Sequence, residues 1–485
     1  MKSFDIFNAL ENIDEKYIDE ARRPKGSLAK KLKVWAIPAV AALLTVTLTL
    51  GAVLSRSEER PSGKYDFPDF TPKDELTDSA FRAFALASPT LPERFDFTEA
   101  NQKEWFDQKS ELMNAYKEAG VDFSEFMSRA LPVILESTGG ESTVCSPVNI
   151  YIAFSMLAEI TDGNSRREIL DVLGVDSIES LRKQVGAIWE AAYRDDGITK
   201  SLLANSLWLS DTRVYNTETV LRLSELYFAS TFSGKMGSEE YNEALRQWLD
   251  YNTGGLLSDQ ISGIELPEDT VMSLASTIYF SGGWALSFKD SSNTEKVFNG
   301  VNSNVLCEFM NQEFNGNYYE GKGFSAVSKR VGEGEMHFIL PDKSESAEKL
   351  LKSDAFVDFI MKGECQKTTY SAIELSVPKF DISSNIDLTE KMEKLGIDDV
   401  LDSSTADFSP LYDKELYIGK ATHGARVRID EEGCVGAAYT LITVYGTSST
   451  TPPLPEVEFI LDRPFIFVVT NEAGIPLFVG VINQL

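Results

Sequence analysis

Between Gly433 and Pro455 the chain runs for 23 residues without one charged side chain. A quarter of the chain is Asp, Glu, Lys or Arg, so composition alone would place about six charges in that window. The segment reads GCVGAAYTLITVYGTSSTTPPLP. Its first part carries the β-branched and aromatic residues of a strand, its second the Ser, Thr and Pro of a loop. On residue types alone, AAYTLITVY is a buried strand and GTSSTTPP a loop. The alternative is a strand that waits unpaired at the surface, a liability because its free N–H and C=O groups invite pairing with another chain. Asp430-Glu431-Glu432 before it and Pro-rich sequence after it frame the segment as a unit.

Composition removes several function classes. A net charge of −29 and a pI near 4.5 repel phosphate backbones, so no nucleic acid is expected as a partner. The two histidines, His337 and His423, are far apart, and neither GxSxG nor HExxH occurs, which argues against an exported hydrolase or any enzyme built on a His triad. Cys145, Cys307, Cys365 and Cys434 form no CxxC pair and read as free or buried thiols. No metal site and no cofactor are expected.

A second uncharged run, Val34–Leu54, is 21 residues long, enough to span about 30 Å as a helix. Arg22, Arg23, Lys25, Lys30, Lys31 and Lys33 precede it with no acid between them, which places residues 1–33 in the cytoplasm and the rest outside. A cleaved signal peptide would have a shorter apolar core and a small-residue cleavage site, so an uncleaved single-pass anchor in the cell membrane is the better reading. Residues 1–33 suggest one short amphipathic helix. Residues 55–104, with Pro61, Pro68, Pro72, Pro89 and Pro92, read as an extracellular linker. Residues 105–485 read as one exported domain. FSEFMSRALPVILES and IYIAFSMLAEI are helical in pattern; LLANSLWLS, MSLASTIYF, MHFILP, AIELSVPKF, ELYIGKATHGARVRID and EVEFILDRPFIFVVTNEAGIPLFVGVI are strand-like. Helices and strands without a βαβ rhythm give an α+β class.

Motifs in this domain then converge. Ser146-Pro147-Val148-Asn149-Ile150, Leu274 to Phe280 followed by Trp284 and Phe288, Val377-Pro378-Lys379-Phe380, Leu395-Gly396-Ile397, His423 through Gly433, and Asp462 to Phe467 with Gly474 to Gly480 occur in the order and spacing of the serpins. From Trp105 to Leu485 the chain resembles that family. The resemblance implies helices packed on three β-sheets with an exposed reactive-centre loop, a monomer, and a suicide-substrate mechanism. A target serine protease cleaves the loop and is held as a covalent acyl complex while the loop inserts into a sheet. Some fourteen residues at ~3.3 Å each would carry the protease about 45 Å.

By the same resemblance, Glu431, Glu432, Gly433, Cys434, Val435, Gly436, Ala437 and Ala438 form the loop hinge. Cys434, Gly436, Ala438, Thr440, Ile442 and Val444 would face the core, and Val435, Ala437, Tyr439, Leu441 and Thr443 would face outward. Counting from Glu431 puts the scissile bond at Thr447-Ser448, whereas counting back from Pro464 moves it nearer Thr451. A tip of small hydroxyl residues suits an elastase-like or subtilisin-like pocket. Ser146, Asn149, Ser276 and His423 would form the network over which the sheet opens, and Trp284 would pack at its top. Asn149 and Ser276 stand where the family usually has Ser and Asn, so the two are expected to face each other with the exchange preserving the network. The alternative function is a non-inhibitory serpin-fold binding protein.

Overall fold

The computed structural model describes residues 80–91, 97–98, 100–136, 139–419, 421–434 and 453–485. The expected anchor, Val34–Leu54, and residues 435–452 of the expected bait lie outside them. Among the described residues no helix is long and apolar enough to cross a membrane.

In chain order the strands are β1 (Ala85–Ala87), β2 (Thr143–Cys145), β3 (Arg194–Asp195), β4 (Thr199–Ser210), β5 (Ala229–Gly234), β6 (Met272–Gly283), β7 (Thr294–Asn299), β8 (Asn304–Gly321), β9 (Phe324–Val331), β10 (Gly334–Pro341), β11 (Lys367–Pro378), β12 (Phe380–Asp387), β13 (Thr422–Ile429), β14 (Gly433–Cys434), β15 (Glu456–Ile460), β16 (Phe465–Thr470) and β17 (Pro476–Ile482). The first sheet runs β1-β5-β4-β6-β14-β13-β12, with β3 on β4. The second runs β15-β11-β8-β9-β10-β16-β17-β2, with β7 on β8. The second and third sheets implied by the serpin resemblance are run together by β8, which pairs with β7 over residues 304–309, with β11 over 309–320 and with β9 over 318–321.

Helices fill the spaces between these ladders. Ser146 caps the helix Pro147–Ile160 by accepting the amide of Asn149, and proline at the first turn loses no hydrogen bond. Every side chain of that helix is buried, so it is a core helix rather than an amphipathic one. The helix Glu239–Asn252 lies instead on the outer face of the first sheet. Its Tyr241, Leu245 and Trp248 share an apolar cluster with Trp208 of β4 and Phe232 of β5.

Three expectations change. The linker expected over residues 55–104 ends sooner, because Phe81 is buried in that cluster, β1 adds to the edge of β5, and a helix starts at Gln102. Proline spacing could not reveal a segment held by rings far along the chain. The strand expected over residues 415–430 begins only at Thr422: Leu416 and Ile418 are core residues of a loop, with Ile418 donating to the Val400 carbonyl at 2.8 Å. AIELSVPKF is two strands, parted at Lys379, whose amide turns to the Glu308 carbonyl at 3.0 Å.

Candidate functional site

The uncharged segment enters the first sheet at its centre. Gly433 and Cys434 pair antiparallel with Gly283 and Gly282 of β6, and Cys434 with Ile429 of β13. β6 and β13 are therefore parallel to each other, and among the described residues they share no ladder of their own. Only glycine fits at 433, since a Cβ there would stand 2.3 Å from the Gly282 carbonyl oxygen. Cys434 is 1% exposed, and burial pushes its thiol well above the usual range, as inert thiols require.

Continued in register, residues 436, 438 and 440 would fall opposite Val427, Ala425 and His423, all about 1% exposed. Residues 435, 437 and 439 would fall opposite Arg428, Arg426 and Gly424, which are partly exposed. Strand alternation continued in this way would have the parity that the resemblance implies. Val435, Gly436, Ala437, Ala438, Thr447 and Ser448 themselves lie outside the described residues. At the far end, the Pro455 carbonyl accepts the Ala372 amide at 2.9 Å and β15 runs parallel to β11, so residues 435–454 join two fixed points.

The acidic residues before the segment are tied down. A carboxylate oxygen of Glu431 lies 2.5 Å from Lys379 Nζ and also accepts from Asn293, while Lys379 reaches Glu308 at 2.8 Å. Burial would raise the Glu431 pKa, but the bonds from Lys379 and Asn293 outweigh it and hold the carboxyl below its ordinary range. Asp290 beside it is raised, by burial and then by repulsion from Glu431. Asp430 closes a turn, its Oδ1 accepting the amides of Glu432 and Gly433. Trp284, fully buried, sews this turn to the end of β6: its amide donates to the Glu432 carbonyl and its Nε1 to the Asp430 carbonyl, both at 2.8 Å.

Beneath Trp284 sits a residue that the sequence did not announce. Lys329 Nζ lies 4.7 Å from the ring centre of Phe288 and 5.5 Å from that of Trp284, and donates to the Leu286 carbonyl and to Gln312. Burial lowers its pKa to about 7. In FSAVSKRV an alternating lysine reads as a surface residue, and nothing local signals the rings that cover it.

The structure also brings Ser146, Asn149, Ser276 and His423 together. The Ser146 amide donates to His423 Nε2 at 3.0 Å, and the Ser146 hydroxyl accepts the Asn149 amide at 3.4 Å. Ser276 and Asn149 do meet, but through the Asn149 main-chain carbonyl at 3.3 Å rather than its side chain. The Asn149 carboxamide is buried with neither polar atom bonded. A partner missed in the sequence, Asn205 of β4, instead accepts from the Ser276 hydroxyl at 2.8 Å. The expected side-chain exchange fails because the neighbouring strand supplies the closer acceptor. Burial lowers the His423 pKa to about 4, so its ring is neutral and free to accept. Cys145, Cys307, Cys365 and Cys434 are all free thiols.

Comparison with known proteins agrees with this geometry. A family model described as serpin (serine protease inhibitor) matches residues 123–485. Serpin-ZX of Arabidopsis thaliana is 24% identical over 373 residues, covering 73% of this chain and 95% of its own length. Human neuroserpin is 26% identical over 376 residues, covering 71% and 87%. Among solved structures, the native state of the thermophilic serpin tengpin superposes with a TM-score of 0.66 at 22% identity, covering 82% of this chain and 98% of that one. Arabidopsis AtSerpin1 in its native stressed conformation gives 0.64 at 21% identity, covering 75% and 99%.

Proposed function

The chain belongs to the serpin family, and from that premise we propose that it is a single-use trap for serine proteases, displayed on the outer side of a membrane. The protease attacks the segment after Cys434 as a substrate, and the acyl-enzyme forms at Thr447-Ser448. The cut segment then continues the strand that β14 begins, filling the space between β6 and β13 and drawing the bound protease with it. The observation that carries this reading is the placement of Gly433-Cys434 between β6 and β13, in a register that, if continued, would turn every second following residue towards the core. Thirteen further positions, 435–447, hold no charge and no proline that would stop a ladder.

No group of this chain is needed to catalyse. The protease supplies the nucleophile, and the trap supplies backbone pairing and side-chain burial that become available only after cleavage. Small Thr and Ser residues at the tip favour a protease with a shallow elastase-like or subtilisin-like pocket. The uncharged run Val34–Leu54 with its basic leading flank supports a single-pass anchor, N-terminus in the cytoplasm.

The test incubates the intact protein with an elastase-like protease. An SDS-resistant complex, with a released peptide that begins at Ser448, is the expected result. Cleavage of the segment without a complex would overturn the trap and leave a serpin-fold binding protein in its place.

A further inference from the structure

The space between β6 and β13 is roofed on its outer face. After the helix Glu239–Asn252 the chain turns through Gly254 and Gly255 and crosses the sheet at Leu256-Leu257. Leu257 is 6% exposed and belongs to the apolar cluster that Ala275 of β6 packs against. On the other side, a Cβ added to Gly424 of β13 would lie only 3.1 Å from Leu257 Cδ1. The leucine therefore lies against β13 at Gly424, within the same apolar cluster that β6 joins through Ala275. Continued from β14, the strand register puts residue 439 beside Gly424 and residue 441 beside Ala275. A strand that entered this far would meet Leu257.

One side chain ties this roof to the sheet. Arg426, on the outer face of β13, donates through Nη1 to the Leu256 carbonyl at 2.6 Å. Its other edge grips Asp381 of β12, with Nε to Oδ1 at 2.8 Å and Nη2 to Oδ2 at 2.7 Å. A two-point pair with a carboxylate fixes the plane of the guanidinium, so the third donor is aimed rather than loosely available. In the same register Arg426 stands opposite residue 437, two positions before the strand would reach Leu257.

We propose that Arg426, oriented by Asp381, is a positioning residue for insertion: it holds the Leu256-Leu257 crossing down over the gap and must release it before the strand can pass. The inference rests on the trap reading above. The latch keeps the gap covered in the uncleaved protein, and its release sets how fast the strand enters.

The experiment adds a synthetic peptide with the sequence of residues 434–447 to the intact full-length protein and follows its annealing by native electrophoresis. Arg426→Met should anneal about tenfold faster than the parent protein. Asp381→Asn, which leaves the Leu256 bond in place but loosens the guanidinium, should give a smaller increase, and Arg426→Lys should restore most of the slow rate. Urea unfolding of each variant supplies the control that a merely structural role would move and annealing would not. An annealing rate for Arg426→Met within twofold of the parent would overturn the latch while leaving the trap intact. Should Arg426→Met not fold, Asp381→Asn annealing at the parent rate overturns it equally. A parent protein that takes up no peptide and gains no heat stability on cleavage would overturn the trap itself, and the latch with it.

Discussion

Two adjacent alanines give the sharpest test of the register. Continued from β14, Ala438 falls opposite Ala425 and Ile278, which are 1% and 6% exposed, with core on that face. Ala437 falls opposite Arg426 on the outer face, where the arginine side chain is 31% exposed. Glutamate at 438 would carry an uncompensated charge into an apolar setting, a penalty of about 3–5 kcal/mol. If half of that is felt while the strand enters, insertion slows by roughly tenfold or more, since ~1.4 kcal/mol is a factor of ten. Hydrolysis of the acyl-enzyme then wins the competition, and Ala438→Glu becomes a substrate. Ala437→Glu places the same charge on the partly exposed outer face beside the Arg426 cation and should remain an inhibitor. The assay is the number of inhibitor molecules consumed per protease inactivated, together with the gain in heat stability after cleavage. Equal effects at the two positions, or a larger one at 437, would refute the register and the alternation that follows from it.

Other consequences concern the scaffold. Glu159 is fully buried, yet it accepts from Arg182 at 2.7 and 2.8 Å, Arg222 at 2.9 Å and the Tyr227 hydroxyl at 2.8 Å. Burial pulls its pKa up, but those bonds outweigh it and keep it low, so Glu159→Gln should lower the urea-derived stability by about 3 kcal/mol. Burial lowers both His337 and His423 to about 4, so each is neutral in the fold and takes up a proton on unfolding. Each therefore withdraws stability as pH falls from 6.5 towards 4, by about 1.4 kcal/mol per pH unit. Glu333, raised by burial to about 7, titrates in the opposite sense and offsets one of them, so Glu333→Gln should make acid unfolding steeper by about that amount per unit. Phe81→Ala should destabilise by about 3 kcal/mol in urea unfolding, although the residue lies well before the family match begins at Phe123.

The parts legible in the sequence were those with a local signature. The helix Pro147–Ile160 announces itself by a Ser-Pro start and an unbroken apolar run, and β6 and β10 by dense β-branched and aromatic residues. The uncharged segment stood out because a missing charge is countable, and its first two residues, Gly433 and Cys434, enter the first sheet. What stayed hidden depends on contacts between distant segments. Phe81 looks like one aromatic in a polar stretch until Phe232 and Tyr251 close around it, at ring-centre distances of 6.0 and 6.2 Å. Lys329 and Asn205 carry no sign of burial in their own neighbourhoods. Arg426 and Asp381, 45 residues apart, become a pair only through the register of β12 and β13.

The distribution of unmet hydrogen bonds ties these observations together. Glu159 shows that this chain can bury a carboxylate and still give it four good hydrogen bonds. Beside the gap it does not do so. Both polar atoms of the Asn149 carboxamide, Nδ2 of Asn205 and Nδ1 of His423 are buried without a hydrogen bond, and all three residues belong to the cluster around Ser146 and Ser276. Each such group costs about 1–3 kcal/mol, so the shortfall matters against the 5–15 kcal/mol by which a folded chain is typically stable. Other such atoms lie elsewhere, Trp189 Nε1 and Ser201 Oγ among them, but these four lie where β6 and β13 lack a shared ladder and where the core-facing residue of a continued β14, Thr440, would bring a hydroxyl and a backbone amide. A strand continued from β14 would put residue 440 between His423 and Ser276, so insertion would bring new partners to this cluster and relieve that part of the deficit.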